Sequence, residues 1–347
     1  MLAALPIIGW ITFFNHKNPE KAQYILLVFV AGVLSVVPIK LYEKYWDTSL
    51  LWFENIDMFR SLADLVAVPS LNTFLAYVIL HFLVSMGMYL FSIVMMFVLE
   101  VVIMRDDTVS VYIHKTARVL ESPFFFGTMG VLVGAVAFFV NRSLSEVAWF
   151  FVVVGMLEEY LKHLVLRFSG EDKITSIDDA LSFAIIVALG FAFIENVLYF
   201  LDYLQFNPML TQKFWVFFFL RSTISVLAHV GFSGILGYYY GFAEFSHEMV
   251  RHESVQKKHW MLGVMHCALH MKTCTLYHEE KMMEGMIIAM TLHAIFNVLL
   301  EFNKLQFVVP MVLLMFVTVL NLYHRKNAYI ADGTLNDFNE DTRLIKV

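Results

Sequence analysis

The residues best suited to chemistry in this chain are ionisable side chains inside apolar runs. The segment GMLEEYLKHLVL at 155–166 places Glu158, Glu159 and Lys162 near the middle of a run long enough to span a membrane. Each charge in such a position costs roughly 2.5–3.5 kcal/mol on insertion scales. Glu158 and Lys162 are four residues apart, as are Glu159 and His163, so each pair shares a helix face. This polar surface must therefore contact other protein segments or a water-filled cavity.

Three later apolar runs carry polar residues at comparable depth. They hold Glu195 and Asn196 in the first run, Arg221, Ser222, Ser225, His229 and Ser233 in the second, and His293 and Asn297 in the third. Serine stripes alone are typical of helix–helix packing, and an isolated mid-span histidine such as His81 is typical of a structural residue. A structural ion pair would also explain Glu158 and Lys162. The combined insertion cost of the whole set instead favours a functional site.

Two hydrolytic mechanisms fit these residue types. A glutamate in a dry cavity can act as a general base on water, with Lys162 keeping a neighbouring carboxylate ionised and His or Asn donating to an oxyanion. No Ser or Cys has the context of a nucleophile. Alternatively, Glu158, His229 and His293 could hold Zn²⁺ around an activated water. The absence of an HExxH helix weakens the zinc alternative without removing it.

Two other classes of protein would also use such residues. An ion- or proton-coupled transporter employs Glu, His and Lys relays, but it predicts broken helices and an inverted repeat, which the sequence does not display. In a receptor or scaffold, the polar residues would only specify helix packing.

The composition predicts the elements that position these residues. Of 347 residues, 59% are hydrophobic and only 16% are charged, which excludes an ordinary soluble protein. Continuous apolar runs predict an all-α, polytopic transmembrane bundle with eight or nine spans. The spans are expected near 22–42, 73–97, 123–140, 147–168, 179–201, 214–240, 284–301 and 305–323, with Leu2–Phe14 as the ninth.

The connections predict the topology. Most of their Lys and Arg residues lie on the side that holds the C-terminus, which places that terminus in the cytoplasm. The chain is expected to divide into N-terminal spans over 1–146 with a cytoplasmic segment at 105–122, a four-span catalytic core over 147–301 with a cytoplasmic connection at 242–283, and a last span with a cytoplasmic tail over 302–347. No basic cluster suggests a nucleic-acid partner, so the expected partners are the lipid bilayer and a membrane-embedded substrate.

A second set of possible metal ligands lies in the connection at 242–283. His266, His270, Cys274 and His278 recur every four residues on one helix face. Such donors can bind a soft metal, although a single helix limits how many converge. The interleaved Met and Leu residues favour an amphipathic helix on the membrane surface.

Four motifs, in this order, resemble those of the PrsW intramembrane proteases, relatives of the CAAX-processing membrane proteases of the Rce type. The matching residues are EExxK (Glu158, Glu159, Lys162), FxxxEN (Phe191, Glu195, Asn196), His229 followed by SxxxGYxxG (Ser233, Gly237, Tyr238, Gly241), and HxxxN (His293, Asn297). The resemblance covers about residues 147–301. The CAAX-type pattern has His in FxxxH where this chain has Glu195, which argues against a prenylated substrate.

The resemblance implies a glutamic endopeptidase of the bacterial plasma membrane that needs no cofactor. Its substrate would be a single-pass membrane protein resembling an anti-sigma factor. By motif, Glu158 would activate water with support from Glu159, and His293 and Asn297 would stabilise the oxyanion. The remaining roles are completion of the site for Glu195 and His229, and support for Lys162, Asn196, Arg221 and Ser233.

Overall fold

The protein is described by a computed structural model in which every regular element is helical. It describes residues 4–14, 22–54, 61, 70–104, 123–170, 174, 176–206, 211–245 and 273–331. No strand occurs within these ranges, as the continuous apolar runs predict. The all-α class is therefore confirmed.

Eleven α-helices and two π-helical turns form the described part of the chain. They are α1 (Ala4–Phe14), α2 (Ala22–Leu34), α3 (Val36–Glu54), α4 (Leu71–Leu99) with a π turn at Glu100–Met104, α5 (Pro123–Ser143), α6 (Glu146–Gly170), α7 (Ile177–Phe206), α8 (Gln212–Leu220) with a π turn at Arg221–Ser225, α9 (Val226–Glu244), α10 (Thr273–Glu301) and α11 (Leu305–Ala331).

Six helical segments are long and apolar enough to cross a membrane, which makes the chain an integral membrane protein. They are Gln23–Trp46, Leu71–Ile103, Ile177–Phe206, Gln212–Glu244, Leu276–Glu301 and Leu305–Leu322. Two other expected spans, α5 and α6, are also helices in the structure. Among the residues whose side chains are described, the apolar part of α5 is Thr128–Asn141, and α6 carries several charges. The total of eight or nine spans stays a prediction.

Helix α6 can carry those charges because it lies inside the bundle. Every side chain from 152 to 168 is buried, and α6 packs against α10, α4, α5 and α7. Its carboxylates thus face protein rather than lipid, as their insertion cost requires.

Two boundaries differ from the sequence-based expectation. Residues 273–283 of the expected cytoplasmic connection are helical and form the first part of α10; their cytoplasmic location stays a prediction. The span around 22–42 likewise continues through a turn at Ser35 into α3. In both places the hydropathy drops while helix-compatible residues continue, so composition alone ends the span too early. Helix α1, with 11 residues, is about 17 Å long.

Close helix crossings hold the site helices together. A Cβ added at Gly190 of α7 would overlap the Phe29 carbonyl of α2, and one at Gly32 would overlap the Val187 carbonyl. On the other side of α7, a Cβ at Gly237 of α9 would lie 2.5 Å from the Ala184 Cβ. Small residues at these crossings let the backbones approach closely, which is the usual basis of helix association in membranes.

The isolated histidine of α4 has a structural environment. His81 Nε2 lies 3.1 Å from the Tyr42 hydroxyl, and Nδ1 lies 2.7 Å from the Tyr77 carbonyl oxygen. Trp46 and Tyr77 surround the ring at centroid distances of 6.0 and 6.1 Å. Both ring nitrogens therefore have partners within an aromatic cluster, in agreement with the structural interpretation.

Candidate functional site

Four helices bring the predicted polar residues to one buried place. Helix α6 contributes Glu158, Glu159 and Lys162, α7 contributes Glu195 and Asn196, α9 contributes His229 and Ser233, and α10 contributes His293 and Asn297, while Arg221 lies in the π turn before α9. The side chains of Glu159 and Lys162 are 0% and 1% exposed. The predicted site residues are therefore neighbours in space, although their motifs span 140 positions of the chain.

Glu159 is the most fully hydrogen-bonded carboxylate of the site. Its Oε1 accepts bonds from Lys162 Nζ at 2.6 Å and from the His293 Nδ1 position at 2.8 Å. Its Oε2 accepts a bond from the Ser233 hydroxyl at 3.2 Å. Three helices thus converge on one buried carboxylate, which orients its neighbours rather than facing a substrate.

Lys162 forms its ion pair with Glu159, although the spacing suggested Glu158. The four-residue separation pointed to Glu158, whereas the ion pair forms three residues back, with Glu159. The ammonium also donates to His229 Nδ1 at 2.8 Å and lies 4.4 Å from the centre of the Phe191 ring. Separations of three and four are both neighbours on a helix, so the helices packed around Lys162 decide between them.

Glu158 is buried but incompletely bonded. Its Oε2 has no hydrogen-bond partner among the described residues, and the nearest cationic or imidazole nitrogen of the site is His293 Nε2 at 3.5 Å. A buried carboxylate oxygen without a donor is costly. Such an atom is available to a water, a substrate or a metal ion.

A second charged cluster lies on the other side of His229. The His229 Nε2 position donates to Glu195 Oε2 at 2.9 Å, and the same oxygen lies 3.2 Å from Arg221 Nη2. Asn196 and Arg221 exchange hydrogen bonds, from Arg221 Nε to Asn196 Oδ1 at 3.1 Å and from Asn196 Nδ2 to the Arg221 carbonyl at 3.3 Å. The side chains of Glu195 and Arg221 are each 14% exposed, so this cluster is less completely buried than Glu159 and Lys162.

Asn297 braces α10 against α6. Its Nδ2 donates to the Phe151 carbonyl oxygen at 3.1 Å. One turn away, a Cβ added at Gly155 would lie 3.0 Å from Asn297 Nδ2 and 3.3 Å from the His293 ring. The lack of a side chain at Gly155 therefore leaves room for two side chains of the HxxxN motif. The predicted oxyanion role of Asn297 stays a prediction.

The serine stripe of α9 and the π turn before it contains different kinds of residue. Ser233 bonds to Glu159, a contact that suits the supporting role that the motif implies better than the packing role typical of a serine stripe. Ser222 is buried, and its hydroxyl has no hydrogen-bond partner within the described ranges. Spacing alone placed both residues on one face and could not separate these environments.

Three features of the site were not found from the sequence. The Tyr199 ring lies 3.7 Å from Arg221 Cζ, Phe232 stacks on His293 at 4.6 Å between centroids, and Arg221 begins a π turn. Tyr199 follows Glu195 by four residues, a spacing that could have identified it. The π turn has no comparable signal in the sequence.

Three of these residues could hold a metal ion. One donor atom from each of Glu158, His229 and His293 lies within 4.8 Å of the other two. Zinc bonds of 2.0–2.2 Å place tetrahedral ligand atoms about 3.3–3.6 Å apart, and the 3.5 Å between Glu158 Oε2 and His293 Nε2 already fits. Zinc-bound histidines usually give their other N–H to a carboxylate. His293 pairs in this way with Glu159, and His229 with Glu195.

One contact in the site competes with a metal ion. Lys162 Nζ donates to His229 Nδ1, while His229 Nε2 is bonded to Glu195. Binding of a cation to either nitrogen must replace one of these bonds. Lys162 would keep its ion pair with Glu159 if the Nδ1 bond were given up.

The His/Cys stripe lies largely beyond the described ranges. His266, His270 and Cys267 fall outside them, and the side chain of Cys274 is also not described. His278 belongs to α10, where its Nδ1 lies 3.6 Å from Glu279 Oε1. The segment after residue 272 thus continues directly into a spanning helix rather than forming a separate surface helix.

Together, the fold and the site define a polytopic membrane protein with a buried centre of carboxylate and imidazole groups. Residues 119–322 match the family model described as PrsW family intramembrane metalloprotease. The match covers more than half of the chain, and the chain belongs to this family.

A curated relative supports the same relationship over a shorter region. The chain is 33% identical over 104 residues to a protein named Protease PrsW from Geobacillus kaustophilus (strain HTA426). This region is 29% of this chain and 42% of that protein, so the chain spans less than half the length of the relative. No solved structure matches the chain.

Proposed function

We propose that this protein is an intramembrane endopeptidase that hydrolyses a peptide bond of a membrane-anchored substrate. The observation that carries the proposal is the convergence of donor atoms from Glu158, His229 and His293 within 4.8 Å. These residues are buried, and they lie well inside α6, α10 and the continuous helical segment Gln212–Glu244 rather than at helix ends. A reaction at this depth needs a substrate that is itself in the membrane.

We further propose that Glu158, His229 and His293 bind zinc. Bound zinc supplies a Lewis acid that makes water nucleophilic near neutral pH and polarises a substrate carbonyl. The unpaired Oε2 of Glu158 and the carboxylate behind each histidine support this ligand set. The description of the matched family as metalloproteases supports it independently.

The other residues of the site would hold and orient these three. Glu159 and Glu195 fix the rings of His293 and His229, respectively, through hydrogen bonds of 2.8 and 2.9 Å. The amide of Asn297 has two N–H donors, and Phe151 O uses one of them. Its second donor is available to stabilise an oxyanion, as the motif implies.

A metal-free glutamic mechanism is the second candidate. The contact of Lys162 with His229 Nδ1 favours the metal-free mechanism, because the ammonium occupies a ring nitrogen that would otherwise be free to bind a metal ion. Glu158 would then act as the general base that removes a proton from water. A transporter is less well supported, since α6, α7 and α10 run through the site as unbroken helices.

The proposed substrate is a single-pass membrane protein of the anti-sigma-factor type, cut within or just outside the bilayer. The proposal also includes the bacterial plasma membrane as location, a cytoplasmic C-terminus and a relationship to the CAAX-processing proteases. The orientation rests on the basic residues in the connections. A reporter fused after Val347 should read as cytoplasmic, and an extracytoplasmic signal would reverse the topology.

A cleavage assay in liposomes tests the proposal. Purified protein is mixed with a single-pass substrate carrying tags at both ends, before and after treatment with a strong chelator. We expect cleavage that the chelator abolishes and Zn²⁺ restores. Full activity after verified metal removal would instead support the metal-free mechanism. If several single-pass substrates remain uncut under all conditions, the peptidase proposal fails.

A further inference from the structure

The π turn at Arg221–Ser225 changes which residues of its span share a face. Arg221 and His229 are eight positions apart, so a regular α-helix would separate them by about 80° around the axis. A π turn accommodates about one extra residue, which makes the pair equivalent to a separation of about seven and reduces the angle to about 20°. The two residues therefore point in nearly the same direction.

Both residues contact the same atom. Glu195 Oε2 lies 2.9 Å from His229 Nε2 and 3.2 Å from Arg221 Nη2. Without the π turn, the same eight-residue separation would turn Arg221 about 80° away from His229 around the helix axis. The turn therefore links Arg221 to His229 through Glu195.

Helix α7 holds Arg221 from three sides. Glu195 pairs with Nη2, Asn196 accepts from Nε, and the Tyr199 ring covers the guanidinium at 3.7 Å. Asn196 also donates to the Arg221 carbonyl, which ties the backbone of the π turn to α7. A planar guanidinium with several donors suits this arrangement, whereas a lysine ammonium would satisfy only part of it.

We infer that Arg221 is a positioning residue that fixes the Glu195 carboxylate against His229. The π turn and the Tyr199 ring hold Arg221 in the position that this role requires. Arg221 acts through Glu195: its described side-chain contacts are with Glu195, Asn196 and Tyr199, and none of these is a proposed zinc ligand. The inference rests on the proposed function, since zinc affinity and cleavage are what the positioned histidine supports.

A double-mutant cycle tests this inference. Arg221→Gln should lower zinc affinity by about 10–100-fold, the usual effect of losing a partner behind a metal ligand. If Arg221 acts through Glu195, the double variant Arg221→Gln/Glu195→Gln should bind zinc no more weakly than Glu195→Gln alone. Affinities are measured by competition with a chelator on purified protein, and cleavage is measured alongside.

Four further variants separate positioning from folding. Arg221→Lys should restore part of the affinity, Tyr199→Leu should weaken zinc binding, and Tyr199→Phe, which keeps the ring, should not. Deleting Thr223 should convert the π turn to α-helix and reduce the separation of Arg221 and His229 to seven positions, so the two residues should keep nearly the same direction and zinc affinity should be retained. The matched control is Lys281→Gln, which removes a paired basic residue of α10 that lies 12 residues, or about 18 Å, from His293.

The possible outcomes distinguish the inference from the proposed function. Additive effects of Arg221→Gln and Glu195→Gln, or a lower melting temperature with unchanged zinc affinity and cleavage, would overturn the inference alone. Zinc binding by the wild type without cleavage of any substrate would reject the peptidase while the affinity cycle still decides the role of Arg221. If the wild type neither binds zinc nor cleaves, both are rejected.

Discussion

The hydroxyl of Ser233 lies 3.2 Å from Glu159 Oε2 and donates a hydrogen bond to it across the boundary between α9 and α6. Glu159 in turn accepts from His293 on a third helix. Ser233 therefore belongs to the network that orients a proposed metal ligand. A role limited to helix packing does not account for this bond.

Ser233→Ala should consequently reduce activity. The change removes a hydrogen bond to a buried charged group, worth roughly 1.5–3 kcal/mol, and we expect a loss of about tenfold or more in zinc affinity or cleavage rate. Ser222→Ala is the matched control, because the buried Ser222 hydroxyl has no hydrogen-bond partner among the described residues. If the two substitutions have equal effects, Ser233 contributes only to helix packing.

Glu158→Gln should abolish most of the cleavage. The substitution keeps the size of the side chain but removes the unpaired carboxylate that faces His293. General acid–base contributions are typically about 10²–10⁴-fold, and loss of a metal ligand would add to this. Glu284→Gln serves as the control, since Glu284 pairs with Lys281 at a more exposed position. A folded Glu158→Gln protein that cleaves at the wild-type rate would refute both proposed mechanisms.

Gly155→Ala should damage the site through packing alone. Its methyl group would lie 3.0 Å from Asn297 Nδ2 and 3.3 Å from the His293 ring. Overpacking of this kind costs about 1–3 kcal/mol, and here it would push α10 away from α6. Gly87→Ala is the comparison, because a Cβ there meets nothing within 4 Å among the residues described. Thermal melts and cleavage rates of both variants check the expectation.

Asn297→Ala distinguishes two roles of the amide. Loss of the bond to Phe151 O should destabilise the protein by about 0.5–1.5 kcal/mol, which a melting curve detects. Loss of an oxyanion donor should further lower the turnover number by about 10²–10³-fold. A stability change with normal turnover in the folded fraction would restrict Asn297 to bracing α10.

The amount of bound zinc should depend on the histidines of the proposed ligand set. The double variant His229→Ala/His293→Ala should release bound zinc, because two of the three proposed ligands are lost. His81→Ala is the control, since that histidine bonds only within the aromatic cluster of α3 and α4 among its described contacts. Metal analysis of the purified proteins by mass spectrometry measures the difference. Equal zinc content in both variants and the wild type would place any metal elsewhere.

The sequence by itself determined that the chain is a helical membrane protein, and it selected most of the buried polar residues of the candidate site. Long apolar runs leave few folds other than a helical bundle in a membrane. Glu158, Glu195 and Arg221 could be selected because ionisable groups in such runs are expensive, so they must face one another or a cavity. Spacings of three and four residues then grouped neighbours on each helix.

Only the tertiary structure decided which of these residues pair. Spacing on one helix allowed Lys162 to pair with either glutamate, and contacts from α9 and α10 select Glu159. The bond from Ser233 to Glu159 depends on how α9 crosses α6, which neither helix encodes alone. Arg221 and His229 meet at one oxygen because a π turn rotates one relative to the other. The sequence pattern specifies the faces of single helices, whereas crossing angles and register between helices arise from packing of the whole bundle.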